Sequence, residues 1–504
     1  MTTAQIDGPP DERIDIDDRF ESDGLLESAT TAQAKPAETT GTLNDFSRAL
    51  LEAEIFDTRS IALPGAAITL PWGAALLRRF RAILDEEFDR FGYDEYEFPE
   101  LAPPSVYEPA IAAFPEQQNL LSAGSDGDWA AGRPRAVLTP TGEASVYTHW
   151  ARTIRVVDDL PVRLRRNARY FRPAPRGSRS GRGIYRPLEA PDVHEWHACV
   201  TDDAAANTEL DRALIMAQAM TARLQVPVLW SRRPPWGNNE QIARRCFGGD
   251  TVLPTGGTIQ VGCVYDQGDL FARAFDIRLR DSIPHRHPMH VTGCVTRRLL
   301  LAHLHQHLDE HGQLQLDPDV SPVQVAVRGA DDAVQSLAAR LRVDGVRVHL
   351  DVADRGALRA ARERWRRRGV PVLVLAQSAR GPGDRARAVI ETPAGETALL
   401  VADVADAAPE IGRAVADETA RVRDAVSART AARTRHCADA ETARNWVGAG
   451  AVVIVPALAE REATAALEQL VGGEVIGFRH ANDVAPALLG GSPTRVRALV
   501  ARRG

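Results

Sequence analysis

Two arginines carry the chemistry that the chain advertises most openly. Arg172 follows Phe171 and opens an arginine-studded loop, Pro173 to Gly183, that runs on to Ile184-Tyr185-Arg186-Pro187-Leu188-Glu189. Arg297 ends the stretch Thr292-Gly293-Cys294-Val295-Thr296-Arg297 and leads straight into an apolar helical pattern. A guanidinium is a permanent planar fork of donors, suited to gripping an α- or γ-phosphate without a glycine-rich phosphate loop. An arginine at a strand edge, a loop able to close over ATP and a second arginine at a helix start would together clamp a nucleotide. Taken singly, each is better read as a surface arginine of an arginine-rich protein.

Composition removes several rivals. Lysine and arginine total 61, yet Lys35 is the sole lysine. That excludes a lysine-bearing phosphate loop, a Schiff base, pyridoxal-phosphate chemistry and the lysine signature of class I aminoacyl-tRNA synthetases. The net charge is −7, so contact with nucleic acid would have to come from local basic patches. Cys199, Cys246, Cys263, Cys294 and Cys437 show neither CxxC pairs nor disulfide spacing, which reads as a reducing cytoplasm with no zinc cluster. No apolar run is long enough to span a bilayer, and the polar N-terminus is unlike a secretion signal.

The elements that must position these residues follow from periodicity. Residues 1–40 are polar and acidic and read as a disordered tail. A long amphipathic helix is predicted from Trp72 to Phe91, with Leu76, Leu77, Phe80, Ile83, Leu84 and Phe88 on one face. Between about 136 and 300, strands and turns alternate around one clear helix, Ala204 to Leu224, which suits an antiparallel sheet with flanking helices. From Ser321 to about 405, strands and helices alternate as in a small α/β domain with a parallel sheet. An arginine- and alanine-rich helix and an α+β segment around Ala451–Val455 close the chain. The expected division is a tail (1–40), an α+β domain built on an antiparallel sheet (41–318), an α/β domain (319–406) and a C-terminal segment (407–504).

Taken in order, these pieces resemble the class II aminoacyl-tRNA synthetases, and among them the archaeal and eukaryotic type of prolyl-tRNA synthetase. Phe98-Pro99 is similar to the family's first motif, and Leu138-Thr139-Pro140-Thr141-Gly142-Glu143 to its R-P-T-S-E loop. Phe171-Arg172 with the distal Arg186 and Glu189 resembles the second motif. Thr258-Ile259-Gln260 and Ala274-Phe275-Asp276-Ile277 match the stretch that follows. Gly293 to Arg297 resembles the third motif, and Ser321-Pro322-Val323 the entry to the anticodon-binding domain.

The resemblance implies attack of an amino-acid carboxylate on the α-phosphate of ATP. Arg172 would bridge the two anions, Arg297 would hold the γ-phosphate, and Arg186, Gln260 and Thr296 would contact the nucleotide. Glu189 belongs to the catalytic set, and Thr141 with Glu143 would take the substrate's ammonium. Mg2+ would complete the charge balance, and a homodimer is implied. For Glu143 the residues alone allow a second reading, a carboxylate at a helix N-terminus.

The chain also departs from the family. Ala174 stands where the family's second motif has a glutamate. Counted without gaps from Glu189, Asp192 falls at the tryptophan of E-F-L-W-Q-E-G-H, His194 at its acid and Trp196 at its histidine. Cys263 and Tyr265 replace the threonine and histidine of a T-S-H stretch, and Val295 replaces a serine. A proline slot relined with Asp192, His194, Trp196, Cys263 and Tyr265 would favour a more polar substrate or leave the site decayed. The anticodon domain's G-P-R-D turn reads Ala376-Gln377-Ser378-Ala379-Arg380, and the C-terminal zinc cysteines are missing.

Three readings follow. The first is a synthetase that charges tRNA, most simply with proline. The second is a paralogue that passes its adenylate to a carrier protein or small amine. The third is a non-catalytic relative that binds amino acid, nucleotide or tRNA. Two further features stand outside the resemblance. The basic run Arg362 to Arg368 reads as a solvated helix face or as a phosphate contact. Seven of the thirteen histidines lie between His285 and His311, with His303, His307 and His311 four apart. They are expected to form a polar, partly exposed helix that holds no metal.

Overall fold

A computed structural model describes residues 41–61, 65–113, 120–125, 135–172, 183–237, 239–281, 286–329, 331–352, 358–379 and 385–503. The predicted acidic tail, the arginine loop from Pro173 to Arg182 with Ala174, His285 and Arg380 lie outside these residues.

The chain enters through α1 (Leu43–Glu52) and then α2 (Pro71–Phe91), which begins one residue before the predicted Trp72 and ends at the predicted Phe91. Pro71 occupies the first helical turn, and Gly92, at φ 75° in the left-handed region, ends the helix, as a residue without a side-chain penalty should. The predicted face, Leu76, Leu77, Phe80, Ile83, Leu84 and Phe88, is buried. Next come β1 (Asp94–Glu95), α3 (Glu143–Thr153), β2 (Val162–Phe171), β3 (Glu189–Val200) and α4 (Asp203–Arg223). β4 (Leu229–Arg232), β5 (Arg245–Val252), β6 (Thr258–Gly268), β7 (Met289–Thr296) and α5 (Arg297–Gln306) follow.

The second unit holds β8 (Val325–Arg328), α6 (Asp332–Val343), β9 (Val348–Asp351), α7 (Leu358–Arg367), β10 (Val372–Gln377), β11 (Ala386–Thr392) and β12 (Gly395–Val401). The last contains α8 (Ala408–Ala431), β13 (Thr434–His436), α9 (Ala440–Gly448), β14 (Val452–Pro456), α10 (Arg461–Val471), β15 (Glu474–Pro486) and β16 (Pro493–Ala501).

The large sheet has eleven strands in the order β13-β14-β16-β15-β4-β5-β6-β7-β3-β2-β1. From β4 to β2 every pairing is antiparallel, as the alternation of short strands and turns predicts. The C-terminal strands continue this sheet, because β15 meets β4 at the pair Phe478 and Arg232. The smaller sheet, β9-β8-β10-β11-β12, corrects the all-parallel expectation. β8 pairs in parallel with β9 and β10, while β11 and β12 form an antiparallel hairpin on the far side. Only two residues, Pro393 and Ala394, separate those last strands, and so short a link cannot make a parallel crossover.

α2 and α4 pack one face of the large sheet and make the main core with Trp196, Trp230 and Phe247. α3 lies on the opposite face, where Tyr147 and Trp150 form a second core with Phe271 and Phe275. The α/β unit is pinned to this body by Trp72 Nε1, which donates to the Arg368 carbonyl at 3.0 Å, while the Arg368 guanidinium lies over the Trp72 and Trp365 rings.

Candidate active site

Directly opposed residues of antiparallel strands point to one face of a sheet. Register therefore sorts the candidate residues. Glu195 pairs with Cys294 and Cys294 with Cys263; His197 pairs with Thr292 and Thr292 with Tyr265. These six side chains share the α3 face. Glu143 is the first residue of α3 and accepts a hydrogen bond from the Thr141 hydroxyl. Its charge acts on the Cys263 thiol, so the carboxylate stands above this floor. The loop before α3 sits down on Glu195: a Cβ at Gly142 would come within 1.9 Å of Glu195 Oε1, so only glycine admits the carboxylate there.

A buried polar cluster underlies the floor. Arg166 Nε is 3.1 Å from Glu195 Oε1, and His197 Nε2 is 3.7 Å from the same oxygen. His197 Nδ1 meets the Thr292 hydroxyl at 3.1 Å, which leaves Nε2 without a hydrogen-bond partner among the described residues. Buried polar atoms are nearly always partnered, and those that are not gather where ligands bind.

Asp192, His194 and Trp196 do not belong to this face. They turn towards α2, where His194 stands edge-on to Phe80, Trp196 packs on Phe88 and Asp192 pairs with Arg81. The physical reason is a bulge. Ala168 pairs with Val193 but Tyr170 pairs with Ala190, so β3 carries one residue more than β2 across that step. Asp192 takes the strain, at φ 53°. Counting without gaps across the bulge shifts every later residue by one. Moving the count by one residue sets Glu195-Trp196-His197 against the family's E-G-H and Val193 against its tryptophan. On that count, Val193, Cys263 and Tyr265 are the departures from the family pattern that lie on the α3 face.

The arginines are also sorted differently from the expectation. Arg297 Nε donates to Asp192 Oδ2 at 2.7 Å, and its guanidinium lies over the Phe56 ring, 5.3 Å from the centroid. Burial resists the Asp192 charge, but Arg297 and Arg81 outweigh it and hold the carboxyl below its ordinary pKa. The guanidinium close to Arg172 is instead that of Arg298. Burial and then the charges of Arg186 and Arg172 push the Arg298 pKa down to about 10. Arg298 is anchored through Nε to the Tyr185 carbonyl at 2.8 Å and through Nη1 to the Gln260 carbonyl at 3.3 Å. Thr296 caps α5 by accepting the Arg298 amide, which fixes where that side chain departs. Arg172 is exposed, donates to the Pro140 carbonyl at 2.9 Å and lies over the Tyr170 ring. Arg172, Arg186 and Arg298 thus form a cluster of like charge beside Glu143, the electrostatic form of an anion site. Sequence reading passes over Arg298 because it is simply the next arginine along.

Glu189 lies at the start of β3, in a salt bridge with Arg169. Gln260 meets the site through its backbone. Among the described residues, no group of three His, Cys, Asp or Glu side chains could hold a metal ion. The histidines of α5 are buried rather than partly exposed: His303 and His307 stack at 3.9 Å, His305 stacks on Phe46 at 4.2 Å, and His311 lies beyond the helix end. In the basic run, Arg362 and Arg366 both pair with Glu391 and Arg368 pairs with Glu54, so three of these charges are spent within the protein.

No family model matches the chain. The proline–tRNA ligase of Methanosarcina mazei is 27% identical over 499 residues, covering 95% of this chain and 100% of that protein. That of Methanoculleus marisnigri is 30% identical over 338 residues, covering 64% of this chain and 69% of the relative. Among solved structures, the Giardia lamblia prolyl-tRNA synthetase in complex with prolyl-adenylate superposes with a TM-score of 0.80 at 19% identity, over 94% of this chain and 100% of that one. The Cryptosporidium parvum prolyl-tRNA synthetase complexed with L-proline and AMP gives 0.75 at 16% identity, over 91% and 94%.

The antiparallel sheet with its arginine-lined face defines a class II aminoacyl-tRNA synthetase fold. Within that class, the chain belongs to the proline–tRNA ligase family.

Proposed function

We propose that the protein activates an amino acid with ATP, giving an aminoacyl-adenylate and pyrophosphate, and transfers the acyl group to tRNA. Proline is the first substrate to test. The observation that carries the reading is the cluster of Arg172, Arg186 and Arg298 beside Glu143 on one face of the sheet. The chemistry asks little covalent work of the protein; two anions must be aligned and their charge met by fixed donors. Arg172 bridges carboxylate and α-phosphate, while Arg186 and Arg298 meet the remaining phosphates. Glu143 and Thr141 receive the ammonium, and Glu195, His197, Cys263 and Tyr265 line the side-chain pocket. Arg297 reaches the nucleotide only by leaving Asp192. Glu189 aligns the loop through Arg169. Mg2+ would be carried by the nucleotide phosphates and would supply charge neutralisation when bound.

The same reading assigns residues 41–318 to activation, 319–406 to tRNA and 407–504 to an accessory segment, in a cytoplasmic homodimer. Among the described residues, no helix is long and apolar enough to cross a membrane. Transfer to a carrier protein or small amine is the second reading. It is favoured by the pairing of Arg362, Arg366 and Arg368 within the protein, which leaves less charge for RNA on α7. Amino-acid-dependent pyrophosphate exchange followed by tRNA charging tests both. Exchange with charging supports the first, exchange alone the second, and silence in both assays removes catalysis.

A further inference from the structure

The five cysteines look unrelated in the string, yet two of them meet. Cys263 on β6 and Cys294 on β7 are directly opposed, with Sγ atoms 3.5 Å apart. Opposed residues of antiparallel strands hold their Cα atoms roughly 4.5 to 5.5 Å apart, inside the range of about 4.4 to 6.8 Å that a disulfide bridges. Both strands are interior to the sheet, so the backbone is fixed and only side-chain rotation is needed. Cys294 is partly exposed, and the hydrogen bond between the two thiols holds the Cys263 pKa down while that bond and burial push the Cys294 thiol up. A thiol of lowered pKa directly beside a partly exposed one suits oxidation to a sulfenic acid followed by capture by its neighbour.

We propose that Cys263 and Cys294 form a reversible disulfide in the floor of the candidate active site, made by a peroxide-class oxidant and undone by thiols. Peroxide converts one thiol to a sulfenic acid and leaves as water. The second sulfur then attacks that sulfur, the S–S bond forms, and the expelled hydroxide takes the remaining thiol proton as a second water. Reduction reverses this by exchange with two thiols through a mixed disulfide. Closing the bond turns Cys263 away from the hydrogen bond that it shares with Tyr265 and ties β6 to β7 between Glu143 and Arg172. Loss of activation on oxidation rests on the proposed function; the bond itself does not.

The test treats the full-length protein with hydrogen peroxide and maps its peptides by mass under non-reducing conditions. The expected result is a Cys263–Cys294 cross-linked peptide that dithiothreitol abolishes, still present in Cys246→Ser and absent in Cys294→Ser. Separate sulfinic acids at the two sites, a link that involves Cys246, or intact thiols in folded protein would each overturn the proposal. Pyrophosphate exchange is then read on the same samples. A fall of at least about tenfold, restored by dithiothreitol, is the expected outcome for a group whose loss disturbs positioned donors. Exchange that persists at full rate in cross-linked protein overturns the switch. Exchange absent from both reduced and oxidised samples, with the cross-link present, instead counts against the proposed function alone.

Discussion

Asp192 holds Arg297 side-on, Nε to Oδ2 at 2.7 Å, while Arg81 Nε occupies the other carboxylate oxygen at 2.9 Å. The Asp192 side chain is fully buried, whereas that of Arg81 is 42% exposed and meets water. Breaking a buried ion pair from one side leaves an uncompensated charge at roughly 3–5 kcal/mol. Asp192→Asn keeps the shape and tolerates the positive φ. Solvation of Arg81 sets the expected loss at the low end, about 3 kcal/mol. Urea unfolding measures it, and a change below about 0.5 kcal/mol, typical of a surface substitution, would sink the assignment.

Arg298→Ala and Arg297→Ala should differ in kind. The first removes a guanidinium from the cluster with Arg172 and Arg186, and the Michaelis constant for ATP in pyrophosphate exchange should rise by about one to two orders of magnitude. The second leaves Asp192 half-paired, so stability should fall more than ATP affinity does. Arg172→Ala should abolish exchange. Equal kinetic effects at 297 and 298 would mean that Arg297 leaves Asp192 when nucleotide binds.

The bulge at Asp192 makes a further distinction. Trp196 packs on Phe88 beneath Gly293, where a Cβ would come within 2.4 Å of the indole. Trp196→His therefore creates a cavity, costing about 3 kcal/mol without improving proline use. Val193→Trp is the substitution that should alter amino-acid preference. Steady-state exchange across the amino acids separates the two, and improved proline use in the Trp196 variant would restore the gap-free count.

Acid should unfold this protein readily. Burial lowers His194 to about 4, His290 to about 3, His303 to about 4 and His305 to about 3, from the ordinary 6.5. A lowered histidine pKa means that the unfolded chain binds the proton first. Stability is thus complete above pH 6.5 and is lost as pH falls towards the folded values, by about 1.4 kcal/mol per pH unit for each group. The Asp192 shift acts in the same direction. Thermal melts between pH 7.5 and 5 should show a steep fall in Tm. A flat profile would place these rings in contact with water.

The legible parts of the molecule were those set by local pattern. α2 announces itself through a 3.6-residue apolar period and a closing glycine, and Phe171-Arg172 through a strand that ends in an arginine-rich turn. What escaped depends on pairing between distant segments. A single extra residue at Pro191-Asp192 leaves no mark in a string, yet it decides which face Glu195 and His197 occupy. Cys263 and Cys294, 31 residues apart, meet only through strand register. The choice of Arg298 over Arg297 as the neighbour of Arg172 depends on where Thr296 starts a helix, which composition cannot rank.

The junction of β15 with β4 has a consequence for the rest of the chain. At this seam Gly477 lies so near Ser231 that a Cβ would approach its hydroxyl to 2.0 Å, and Arg233 reaches across to the Ile476 carbonyl. Cut away from residue 407 onward, β4 would present a bare row of amides and carbonyls, a template for unwanted self-association. The C-terminal layer is then a selvedge: the weave next to it would fray without that border.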